Sequence, residues 1–470
     1  MEKQSFAIIV GTRGFFNSAL ARGVKEKFLL KLHALGFGAI ILPAERTKTG
    51  AVETEEDALA CAAFFKEHAQ EIDGIIVTLP NFGDEVSVTR AIRESNLNVP
   101  ILIHAQPDEL DKLGVDERRD SFCGKISVCN NLRQSGIPFT LTSEHSMSVD
   151  EPAFESDLQQ FAAICRVVNR LRNVRVGAIG ARPAAFQTVR YSEKILQASG
   201  ITVVTTDLSE ILAAANKYDD NAGIVKKNLE EIRAYGEIVA SATSIMLVKQ
   251  AKLLTALDEW LDAKDVQAAA FLCWQSIQLN YGCASCLAMS IKTNAGVPIA
   301  CEVDICGALS MLALQLAAQK PAALVDWNNN YGKEGSKCIA QHCSAYAKDF
   351  MNAPVEIGYL SVMGKNIGNE ICFGAIHGKA SAGPISYLRL TTDDLKGKIR
   401  AYVGNAQFTD DQFPMAGGIA VCEIPNMQKL FRYICQEGFE HHSALVRSHV
   451  ADVIEESFGR YLGWDLYVHS

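Results

Sequence analysis

Nowhere does this chain hold the roughly 18 uninterrupted apolar residues that a membrane-spanning helix needs. Its first residues, Met1-Glu2-Lys3-Gln4-Ser5-Phe6, run straight into a strand-like apolar stretch. They lack the charged region, long apolar core and cleavage site of a signal peptide. Basic charge is not in excess either. The formal charge of −9 gives no electrostatic ground for binding nucleic acid or an anionic membrane. There is no G-x-G-x-x-G, which argues against a dinucleotide site. Cys283-x-x-Cys286 has no second C-x-x-C at zinc-ribbon distance, which argues against a structural zinc ribbon. No internal repeat or low-complexity segment is evident. The 14 cysteines, scattered from Cys61 to Cys435, read as reduced and mostly buried thiols of a cytoplasmic protein.

What is present is a globular composition, 48% hydrophobic and 21% charged, over 470 residues. That length suits about three domains at roughly 150 residues each. Strand-like runs at 6–10, 39–42, 73–78 and 99–104 alternate with helical stretches at 18–35 and 54–69. A second alternating set follows the acidic, proline-bearing stretch 149–157. It has helices expected at 161–171, 191–198, 208–212, 222–240 and 258–280, and strands at 175–179 and 202–205. Strands alternating with helices of this length imply parallel βαβ units. Beyond residue 355 the runs 357–363, 371–376, 385–391, 396–403 and 417–421 are short, β-rich and separated by Gly, Asp and Pro. A closing helix is expected over 443–462. The expectation is an α/β chain with two successive Rossmann-like parallel-sheet domains, 1–160 and 161–350. A small antiparallel, β-barrel-like C-terminal domain, 351–470, would follow.

The chemistry concentrates in two acidic clusters set in apolar surroundings, Glu302-Val303-Asp304 and Asp326-Trp327-Asn328. A carboxylate in such company pairs, binds metal or moves protons, because an unpaired buried charge is costly. The stretch 307–318 supplies one helix between them. Glu302 and Asp326 would then end neighbouring strands and face one crevice, with Asp304 on the same strand face as Glu302 if that strand is regular. Two histidine positions stand near this chemistry, His342 and the pair His441-His442. Carboxylates with one or two imidazoles and open positions suit Mn²⁺ or a similar divalent ion. The glycine turns 11–15, 80–85 and 177–183 follow strands, where open α/β sheets bind ligands, but ordinary turn chemistry is the commoner explanation of the first two and the third is a weak phosphate-loop signal.

These residues resemble the L-fucose isomerase and L-arabinose isomerase family of metal-dependent aldose–ketose isomerases. The resemblance covers most of the chain. It rests on the spacing of the two acidic clusters, the late Glu440-His441-His442, and the run Thr391-Thr392-Asp393-Asp394-Leu395-Lys396-Gly397-Lys398. It implies Glu302, Asp326 and His442 as ligands of Mn²⁺ (or of Mg²⁺ or Co²⁺), with the two acids also carrying protons through a cis-enediol. His342 resembles a further ligand of the arabinose branch. Arg13 resembles a substrate contact lent across a subunit boundary, and Phe82 an aromatic residue near the sugar. Asn328, in the Asp-Trp-Asn flank, is a further expected substrate contact. The partners implied are a sugar and other copies of the chain, in a hexamer or trimer-based assembly. The sugar stays open among a deoxy sugar, a pentose and an anionic 6-sulfo hexose. Arg13, Arg182, Lys333, Lys379 and Arg447 are either anion-recognising or ordinary surface charges. A non-catalytic sugar-binding protein, an epimerase and an aldolase are the alternatives.

Overall fold

The computed structural model describes residues 3–47, 50–343, 345–413 and 417–470. The chain forms two compact units, Met1–Asn169 with Glu456–Gly463, and Arg170–Glu455 with Trp464–Ser470.

The first unit is built on five parallel strands in the order Gly38–Ile41, Ser5–Val10, Gly74–Leu79, Ile101–Ala105 and Thr140–Leu141. Ala7 and Ile9 join one apolar cluster with Ile75, Val77 and Ile103. Phe6, Ile8 and Val10 join another with Ile76 and Leu102. Both sheet faces are therefore covered, which is why these strands read as continuous apolar runs rather than as alternation. The stretch 149–157 is not a plain linker. The helix Pro152–Leu171 starts inside it, with proline at the first helical position, where its missing N–H costs nothing.

The second unit holds two sheets. Four parallel strands run in the order Ile299–Cys301, Ala268–Phe271, Val174–Ile179 and Ile201–Thr206. The strand Ala268–Phe271 interrupts the helix expected over 258–280; the observed helix is Ser244–Lys264. Three alanines carry little strand preference of their own, but all four residues of this strand are buried, and that context overrides local propensity.

The expected small antiparallel sheet is instead a ten-stranded mixed sheet. Its order is Asp465–His469, Lys398–Thr409, Gly383–Asp393, His442–Val446, Ala322–Asn330, Lys337–His342, Gly418–Glu423, Phe373–Lys379, Glu356–Tyr359 and Glu237–Ile238. Lys398–Thr409 also pairs with Gly418–Glu423. Residues 443–462 are not one helix. A strand, His442–Val446, precedes the short helix Ala451–Glu455 and the π-helix Glu456–Leu462. His442–Val446 lies buried between two partners, and a short, fully buried strand has the same apolar signature as a helix segment. The run 391–398 forms the hairpin between Gly383–Asp393 and Lys398–Thr409, with Gly397 at φ +67° where the turn requires a left-handed residue. Among the described residues, no helix is long and apolar enough to cross a membrane.

Candidate active site and metal centre

Glu302 does not lie on a strand with Asp304. The strand Ile299–Cys301 ends one residue earlier, and Glu302 and Val303 both take left-handed φ values, +60° and +59°. A β-branched residue there is a genuine outlier, and such strain clusters at functional sites. The bend lets Asp304 cap the helix Ile305–Ala318, its Oδ1 accepting from the Gly307 N–H at 2.8 Å. A Cβ on Gly307 would come within 2.5 Å of Asp304 Oδ2, so glycine keeps that carboxylate free to turn inward.

The other expected residues arrive on the ten-stranded sheet, not on a strand beside Glu302. Asp326 on Ala322–Asn330 is the register partner of His442, and His342 ends the adjacent strand Lys337–His342. Three antiparallel neighbours thus deliver Asp326, His342 and His442, while the parallel sheet delivers Glu302.

The structure brings these four side chains together. His442 Nε2 is 3.0 Å from Glu302 Oε2 and 3.4 Å from Asp326 Oδ1. His342 Nε2 lies 3.7 Å from Glu302 Oε2. His441 is the more exposed of the pair, its Nε2 3.5 Å from Asp326 Oδ1. Glu302, His342 and His442 can hold one ion, and so can Asp326, His441 and His442. Glu302 Oε2, Asp326 Oδ1 and His442 Nε2 are all buried and none makes a hydrogen bond among the described residues. Orphaned buried donors and acceptors are costly, and Glu302 Oε2 and Asp326 Oδ1, each facing His442 Nε2, fit ligands of a divalent cation.

Residues that the sequence reading left out hold this set in place. Trp274 Nε1 donates to Glu302 Oε1 at 3.0 Å, which leaves Oε2 for the centre. Phe186 packs edge-on against Trp274 and His441. His442 Nδ1 meets Asp304 Oδ2 at 2.8 Å. Arg389 grips Asp304 with both terminal nitrogens, at 2.5 and 3.0 Å, and donates through Nε to Glu440 at 3.1 Å. Thr391 donates to the other Glu440 oxygen at 2.6 Å. Arg389 and Asp304 are fully buried. A lone arginine in the apolar stretch 385–391 was the available signal for this network.

Charge follows from that arrangement. Burial alone would raise the Glu302 pKa, but the His342 and His442 rings facing its carboxylate hold it well below the carboxylate range. Burial also opposes ionisation of Asp304, and Arg389 outweighs it. Burial would depress His442, but Asp304 and Glu302 push it up to about 9. At neutral pH in the metal-free protein, His442 therefore carries a proton that an incoming cation must displace. Metal binding should release protons and tighten as pH rises towards 9. Adding Mn²⁺ to weakly buffered protein at neutral pH while recording pH checks this; an unchanged pH would contradict it. Asp304→Asn should weaken metal binding by about 10–100-fold, because it removes the carboxylate that fixes the His442 tautomer. Equilibrium dialysis reads that change.

Arg13 and Phe82 lie in the first unit. The Arg13 guanidinium sits 4.5 Å from the Phe82 ring centroid, pairs with Glu85 and donates to the Gly83 carbonyl at 3.1 Å. Asn328 is exposed, at a register shift between Trp327 and Asn329, and is not part of the cluster. Lys379 and Arg447 spend N–H groups on the carbonyls of Asp411 and Ser381.

Fold and site together define an α/β protein with a buried carboxylate–imidazole centre able to hold a divalent ion. Residues 7–172 match the fucose/sulfoquinovose isomerase N-terminal domain, and residues 340–469 match the L-fucose isomerase C-terminal domain. The chain belongs to the L-fucose isomerase family, whose members are metal-dependent aldose–ketose isomerases. It is 25% identical over 354 residues to a sulfoquinovose isomerase of Priestia aryabhattai, covering 75% of this chain and 76% of that protein. It is 22% identical over 398 residues to one of Alkalicoccus urumqiensis, covering 84% and 86%. Membership sets aside the non-catalytic sugar-binding alternative.

Proposed function

We propose that this chain interconverts a 6-sulfo aldose and its ketose through a cis-enediol, with a divalent cation, Mn²⁺ by preference, held by Glu302, Asp326, His442 and His342. The three orphaned buried atoms, Glu302 Oε2 and Asp326 Oδ1 on either side of a shared His442 Nε2, carry the reading. The bound cation would polarise the C1 and C2 oxygens of the sugar.

The proton work falls to the chain's own residues. Moving a proton between C1 and C2 needs a base at one carbon and an acid at its neighbour. Glu302 and Asp326 both reach His442 Nε2, so both carboxylates stand at one locus. Glu302 is held in the ionised form a base starts from, and the facing imidazoles that hold it there also lower its basicity. Trp274 fixes the rotation of its carboxylate, and Asp304 fixes the ring of His442. The apolar flank of Phe186 and Trp274 limits water beside the acids.

The relatives named sulfoquinovose isomerase support a sulfonated sugar as substrate. Arg13 is the favoured sulfonate contact, lent with Phe82 to a neighbouring copy in a hexamer or trimer-based assembly of a cytoplasmic enzyme. Residues 1–160 would supply those contacts, 161–350 the acids, and 351–470 the late histidine. The additional pairing of Lys398–Thr409 with Gly418–Glu423 supports a barrel-like closure of that last part.

Protein treated with EDTA should lose turnover of sulfoquinovose and regain it with Mn²⁺, the product followed by NMR. A second aldose as product would mean an epimerase, and fragments an aldolase; either outcome overturns the reading. Arg13→Gln and Glu302→Gln should each be inactive alone. Co-expressed, they should recover measurable activity through mixed assemblies if Arg13 acts in trans.

A further inference from the structure

Beside the oxygen-rich centre lies a second group of donors with a different chemistry. Cys301, the residue before Glu302, and Cys343, the residue after His342, bring their Sγ atoms within 4.8 Å of each other and of a His342 ring nitrogen. Cys343 Sγ is 3.5 Å from His342 Nδ1. Cys301 is buried, whereas Cys343 is partly buried. His342 is itself only 4% exposed and turns its other nitrogen, Nε2, towards Glu302.

We propose that Cys301, Cys343 and His342 Nδ1 form a three-donor site for a thiophilic divalent ion of the Zn²⁺ class, distinct from the carboxylate centre, with the fourth position left to water. Bonds of about 2.3 Å to sulfur and about 2.0 Å to nitrogen at tetrahedral angles separate those two atoms by about 3.5 Å. That is the separation between Cys343 Sγ and His342 Nδ1. Two thiolates and an imidazole are ligands of the zinc type, and soft sulfur selects against Mn²⁺ while the carboxylates favour it. Cys343, the less buried of the two thiols, is the donor nearer to solvent. Each thiol that ligates gives its proton to solvent as the ion binds. Because His342 presents one nitrogen to each group, filling both sites at once makes its ring a bridging imidazolate, and the remaining ring proton also leaves to solvent.

The test uses the full-length reduced protein, stripped of metal and titrated with Cd²⁺ and with Zn²⁺. One equivalent of Cd²⁺ should raise a near-ultraviolet thiolate-to-metal charge-transfer band. Cys343→Ser and Cys301→Ser should each weaken Cd²⁺ binding at least about tenfold. Glu302→Gln should keep the band, so failure of the isomerase reading would leave this result standing. No band with wild-type protein, or a band undiminished in both cysteine variants, overturns the proposal. A measurement on the wild type alone covers variants that fail to fold. Bound Zn²⁺ should shield Cys301 and Cys343 from alkylation, read by mass spectrometry; shielding confined to other cysteines overturns the assignment.

Discussion

Glu302→Gln should lower kcat/KM by about 10³-fold or more while circular dichroism stays that of the wild type. The amide preserves the side chain's shape and the acceptor for the Trp274 N–H, so the local packing survives. It removes the charge facing His342 and His442, the proposed proton acceptor, and one proposed metal ligand. Loss of a positioned general base alone costs about 10²–10⁴ in rate. The weakened metal site adds to that, and dialysis against Mn²⁺ should show both losses in one protein. Turnover within about tenfold of wild type would remove Glu302 from the chemistry.

Arg389→Met should be the most destabilising single change at the site, by about 3–5 kcal/mol, because it leaves the buried carboxylates of Asp304 and Glu440 without their cation. Urea denaturation read at a common concentration measures the shift. Arg389→Lys should recover little, since an ammonium cannot reproduce two parallel bonds to Asp304 together with one to Glu440. The triple variant Asp304→Asn, Arg389→Met, Glu440→Gln carries no buried charge in this network and should regain much of the lost stability. It should stay defective in metal binding, because His442 Nδ1 no longer faces a carboxylate. An Arg389→Met protein as stable as wild type would mean that water reaches and solvates these acids.

The strands of the first unit were legible because both faces of a parallel sheet are covered, so their residues are apolar without a break. Ala268–Phe271 was hidden because alanine reads as helix wherever burial is not known. His442–Val446 was hidden because a buried strand and a buried helix segment share one pattern. The misread closing helix mattered for the site. On a helix start His442 has no defined partner; on a strand it stands opposite Asp326.

From its residues alone this chain disclosed its parallel βαβ opening, its two acidic clusters and its late histidines. Such features are local: a run of apolar side chains, or a carboxylate among them, is visible without knowing what lies opposite. Only the tertiary structure decided that Glu302 comes from one sheet and Asp326, His342 and His442 from another. It also decided that Asp304 stands behind His442, held by a buried Arg389, rather than beside Glu302 on a strand. The physical reason is that a metal centre and the network behind it are set by side chains far apart in sequence, and by backbone bends such as the left-handed pair at Glu302 and Val303. No short-range pattern encodes either.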